Sequence, residues 1–197
     1  MRQKQGRQAW HGPCLRLHSM DAHSDDHTLA PSLPLELLGV KRGVWDGERP
    51  WGLVWCCSDL RQLPETVFGT QPGELLVLQG SSTVPAAAIL SDVAWAARQH
   101  ELSHVFVVAH AGCRMLRAAL GSSGSTGPLA AQLDRLGLFA GCESDEVGRM
   151  LARVASEQLR VELARRGARS EVLATFADER GRLARLRDAR SEHIGVA

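Results

Sequence analysis

Short apolar runs alternate with longer amphipathic stretches along this chain. The runs Gly52–Cys57, Glu74–Leu78, His104–Ala109 and Glu171–Phe176 are each too short for a helix and bounded by turn residues, so they read as buried strands. Arg182–Leu186 adds a candidate edge strand. Between them, Thr83–His100, Arg114–Leu120, Pro128–Phe139 and Ser144–Arg166 read as helices. Thr83 before Val84 and Pro85 suggests an N-cap, and Ser144, Asp145 and Glu146 open the last helix with the expected acidic first turn. Pro31 and Pro34 bound a short helix or arm over Leu33–Val44, and QLPETVFGTQPGE reads as a loop or short turn. Strands alternating with helices predict a single α/β domain over residues 33–190. Its sheet is mostly parallel, four- to five-stranded and helix-covered, with right-handed crossovers.

Residues 1–32 show neither period and read as a disordered polar tail, with a second short tail at 191–197. His11, His18, His23 and His27 fall in the first tail with several aspartates and are assigned to solvent rather than metal. A formal charge of +1 gives no global case for nucleic acid, and no apolar run approaches the ~18 residues of a membrane span. Five cysteines at irregular spacing do not form a disulfide framework. With no export signal in the first residues, a reducing, cytoplasmic setting is expected.

The chemistry gathers at two strand ends. The first run closes on Cys57, Ser58, Asp59, Leu60 and Arg61; the third runs into His110 and then Cys113. Ligands collect outside the carboxyl ends of parallel strands, so neighbouring strands would bring Cys57, Asp59, His110 and Cys113 together. Two thiolates, an imidazole and a carboxylate suit tetrahedral zinc. Alternation sends Cys56 and Cys57 to opposite faces, leaving Cys56 as a core thiol. Trp45, Trp51, Trp55 and Trp95 are expected in the core or at a subunit contact.

These residues resemble the β-class carbonic anhydrases. CSDLR at 57–61 is similar to that family's CSDSR, and PGELLVL at 72–78 to its Pro-Gly-Asp strand. HVFVVAHAGC runs into its HxxC motif, and VGRMLARVASEQL and SEVLATFADERGRLARL resemble its late helix and final strands. The likeness covers roughly residues 46–187. It implies Zn2+ on Cys57, His110 and Cys113, an Asp59–Arg61 catalytic dyad, and a homodimer or a multiple of dimers. It further implies reversible hydration of CO2 to bicarbonate by a zinc-bound hydroxide, with Asp59 as a possible fourth ligand in a closed state.

Three departures stand out. Gln79-Gly80-Ser81-Ser82 replaces the family's RNAG, Arg114-Met115 replaces Gly-Ala after the second motif, and Gly73-Glu74 replaces Gly-Asp. The first two bear on the substrate pocket. They keep in view a catalytically silent zinc protein acting as a binding or regulatory module; a zinc hydrolase of CS2 or COS on the same site is a further alternative.

Overall fold

In the computed structural model, which describes residues 35, 38–40, 47–121, 127–138 and 141–187, strand β1 is Gly52–Cys57, buried at every position. The other strands are β2 (Leu75–Gly80), β3 (His104–His110), β4 (Glu171–Ala177) and β5 (Leu183–Arg185). They form one sheet in the order β2-β1-β3-β4-β5, parallel except for β5, which pairs antiparallel with β4. The single mostly parallel sheet expected from the sequence is therefore present. Strands β1 and β3 lie inside it and are covered on both faces, which is why they read as unbroken apolar runs. Edge strand β2 instead is buried only at Leu75 and then alternates half-buried with exposed positions.

Alternation sorts the core into two layers. Leu53 and Trp55 of β1 face a cluster with Val93, Ala94 and Ala97 of helix α2 (Ala87–Gln99) and Ala152, Ala155 and Leu159 of helix α5 (Ser144–Arg165). Val54 and Cys56 face the other way, against Trp51, Phe106, Leu35, Leu38 and Val40, and Val67 and Phe68 of helix α1 (Pro64–Phe68). Phe68 and Phe106 pack with ring centroids 4.7 Å apart. Gly148 of α5 faces Leu116 and Ala109, where a Cβ would stand in ordinary van der Waals contact at 3.4 Å from Leu116 Cδ1 and 3.6 Å from Ala109 Cβ. Helices α3 (Arg114–Gly121) and α4 (Pro128–Arg135) stand at the carboxyl end of β3.

Several boundaries differ from expectation. Helix α2 starts at Ala87 and not at Val84: Pro85 disfavours helical geometry at Val84, and Ala86 is still extended (φ −114°, ψ 140°) as the N-cap residue. Thr83 and Val84 are buried instead of capping. The loop expected after Gln62 contains α1, whose Pro64 pre-sets the first turn and whose left-handed Gly69 (φ 64°) ends it. Helix α4 ends at Arg135, where Gly137 (φ 69°) turns the chain and Leu138 N–H returns to the Leu133 carbonyl at 2.9 Å. Trp51 and Trp55 are core residues, Trp95 is 58% exposed, and Trp45 lies outside the described residues. So do the two terminal tails with His11, His18, His23 and His27, and most of the 33–44 arm. No helix among the described residues is long and apolar enough to cross a membrane.

Candidate metal centre

Cys57 is the last residue of β1, and the turn after it is tied down from both sides. Ser58 N–H donates to the Gly80 carbonyl at 2.7 Å, so the end of β2 supports the turn. Leu60 N–H donates to the Cys57 carbonyl at 3.1 Å and Asp59 N–H to Cys57 Sγ at 3.4 Å. Gly80 of the QGSS segment thus supplies backbone support to the turn that carries Cys57.

His110 ends β3, in register with Ala177 of β4. Its Nδ1 lies 3.0 Å from the Ala111 carbonyl oxygen. A carbonyl can only accept, so Nδ1 carries the proton and Nε2 presents a lone pair. That Nε2 is buried beside the Cys113 sulfur and, among the described residues, meets no conventional hydrogen-bond partner. The chain then turns through Gly112 at φ 63°, a left-handed conformation that favours glycine, and Gly112 N–H donates to Asp145 Oδ1 at 2.9 Å. Cys113 follows at the start of α3, where Leu116 N–H reaches its sulfur.

The register of β1 beside β3 thus brings Cys57, His110 and Cys113 together, all three buried, with their donor atoms within 4.8 Å of one another. The two sulfurs are 3.7 Å apart. Their mutual hydrogen bond raises the pKa of Cys57, reinforced by burial, and lowers that of Cys113. For His110, burial disfavours the charged ring, but the hydrogen bond and charge of Cys113, the Ala111 carbonyl and the Asp59 carboxylate together outweigh it, and the net shift is upward. An orphaned buried imidazole nitrogen facing two sulfurs is the donor set of a zinc site, and these residues fit that ion. Cys56 is fully buried on the opposite face, and burial raises its pKa to about 11, as for an inert core thiol.

Asp59 stands beside this cluster without joining it. Its expected partner was Arg61, but the structure pairs it with Arg114. Arg114 Nε donates to Asp59 Oδ1 and Arg114 N–H to Oδ2, each at 2.7 Å, and Nη2 also bonds Oδ1. The guanidinium holds the Asp59 carboxyl below the usual carboxylate range. Arg61 is exposed, has no ion-pair partner among the described residues, and lines a cleft with Leu60, Gln62 and His110. The reason is directional: Asp59 turns toward Arg114, the first residue of α3, while Arg61 lies on the side of the β4–β5 turn. The sequence reading missed Asp145, taking it as a helix-dipole residue. Its position at the start of α5 was the signal, since only the fold shows which loop that helix end meets.

The model of the family described as carbonic anhydrase matches residues 52–162, more than half of the chain and all the residues of this centre. The chain belongs to the β-carbonic anhydrase family. Carbonic anhydrase 2 of Mycobacterium tuberculosis, from strains H37Rv and CDC 1551, is 24% identical over 90 residues; the match spans 46% of this chain and 44% of each relative. Among solved structures, a tetrameric β-carbonic anhydrase of Sordaria macrospora superposes with TM-score 0.54 at 23% identity, covering 77% of this chain and 84% of that one. The β-carbonic anhydrase CafA of Aspergillus fumigatus gives 0.55 at 24% identity, with 71% and 76% covered. These similarities establish the fold of the β class around the thiolate–imidazole centre.

Proposed function

We propose that this member of the β-carbonic anhydrase family interconverts CO2 and bicarbonate, with zinc held by Cys57, His110 and Cys113. The observation that carries the reading is the buried triad, its donor atoms within 4.8 Å of one another, with His110 Nε2 lacking a hydrogen-bond partner among the described residues. Zinc on three protein ligands activates water as a nucleophile near neutral pH. The protein's own groups orient and shelter that chemistry. Asp59 accepts a hydrogen bond from the attacking water and keeps its lone pair directed at carbon. The Cys57 and Cys113 thiols belong to an apolar cluster with Val84, Leu116 and Leu151, surroundings that favour an uncharged substrate. Water adds to CO2 to give bicarbonate, and one proton leaves to buffer. Arg61, expected as the second member of the dyad, instead lines the cleft beside His110 together with Asp178 and Glu179.

Association as a homodimer or a multiple of dimers belongs to the same reading. Among the described residues edge strand β2 is paired on one side only, and Val77 (38% exposed) and Trp95 (58% exposed) place apolar surface beside it. A cytoplasmic setting suits thiol ligands, and no disulfide joins Cys56, Cys57, Cys113 or Cys142.

Zinc analysis combined with stopped-flow CO2 hydration tests the proposal. Zinc near one per chain with hydration above the buffer background is expected. Zinc without hydration would leave the silent binding module, and sulfide release from CS2 or COS in its place would identify the hydrolase.

A further inference from the structure

We propose that Arg114, and not Arg61, is the positioning residue that holds the Asp59 carboxylate away from the fourth metal position; this rests on the metal reading above. Three observations point there. Asp59 is only two residues beyond Cys57, so its carboxylate starts within reach of the ligand cluster. Yet it lies outside that cluster, with both oxygens engaged by one residue. Arg114 directly follows the ligand Cys113, so its backbone amide is fixed by the metal loop while its side chain closes a fork on Oδ1. The Asp59 side chain is 7% exposed and that of Arg114 76%, so the arginine closes over the carboxylate from the solvent side.

The asymmetry with Arg61 strengthens the assignment. Arg61 has no carboxylate partner among the described residues and lines the cleft on the other side of the turn. A guanidinium fork with an added backbone amide fixes both position and orientation of a carboxylate, which a single long side chain in solvent does not. Without the fork, Asp59 keeps the backbone amide of Arg114 on one oxygen, and the other is released to compete for the metal. Arg114 is therefore what keeps that position available to small ligands, and the substitution of Gly by Arg after the second motif supplies a new contact.

The test uses full-length protein loaded with Co2+, whose visible absorption reports the coordination sphere, titrated with azide as a small anionic ligand for the open position. Loss of a charge-assisted contact predicts that Arg114→Gln binds azide about ten-fold more weakly than wild type. Adding Asp59→Asn to Arg114→Gln restores the affinity, because the competing carboxylate is gone. Arg114→Lys, with the charge but no fork, falls between wild type and Arg114→Gln, and Arg61→Gln shifts affinity less than Arg114→Gln. Arg114→Gln within about two-fold of wild type, or Arg61→Gln with the larger effect, would overturn the assignment. So would a double variant as weak as Arg114→Gln, since Arg114 would then be attracting the anion directly. Wild-type protein that takes up neither Co2+ nor Zn2+ would overturn the metal reading itself, whereas normal uptake with unaltered azide binding overturns only the role of Arg114.

Discussion

His110 is held by the backbone through Nδ1 and left bare at Nε2, an arrangement that leaves a buried polar atom unsatisfied unless an ion is present. Removing any one ligand of the triad should therefore cost the metal. Cys57→Ala, His110→Ala and Cys113→Ala are each expected to lose zinc by elemental analysis, while Cys56→Ala retains it. The support around the ligands predicts a graded effect. Asp145→Ala frees the Gly112 amide and should cost about 1 kcal/mol in stability. Zinc transfer to a chelator should quicken, because the loop joining His110 to Cys113 is less restrained; an unaltered transfer rate would show that Gly112 and its neighbours hold the loop alone. The ligand types were legible in the sequence because CSDLR and HAGC each follow an apolar run. The Asp59–Arg114 contact was not: it joins residues 55 apart, and its formation depends on side-chain directions that spacing does not encode.

At the scale of elements, β1 and β3 were readable almost to the residue, since strands buried on both faces must be continuously apolar. Helix α1 was not, being five residues long and lacking a side-chain cap. Helix α5 carries the packing of one sheet face, with Leu159 fully buried in its middle. Leu159→Ala is expected to lower unfolding stability by about 2–5 kcal/mol in denaturant titration. The start of β3 gives a pH prediction. His104 packs on Trp51 and Phe106, and burial lowers its pKa despite Glu171 nearby. The unfolded chain, with an ordinary histidine pKa of about 6.5, then binds more protons than the folded one as pH falls. This contribution is present above that pH and is lost as pH drops through the lower, folded value. His104→Gln should flatten the acid side of the stability curve, measured by denaturant midpoints from pH 8 to 5; an unchanged slope would assign the acid sensitivity to other groups.

At the scale of the whole molecule, the sheet order places β2 at an edge and the metal centre at the carboxyl ends of β1 and β3. The α/β class and the site's location followed from strand–helix alternation, whereas what meets the β2 edge depends on surface shape that a single sequence does not display. A dimer or its multiple is expected by light scattering at micromolar concentration, and Trp95→Glu should shift it toward monomer. The most direct measurement is the CO2 hydration rate of zinc-loaded protein by stopped flow, with zinc content determined on the same sample, beside His110→Ala. Hydration well above the buffer background in the wild type, lost together with zinc in His110→Ala, is the predicted result. Fully zinc-loaded wild-type protein hydrating CO2 no faster than buffer would contradict it.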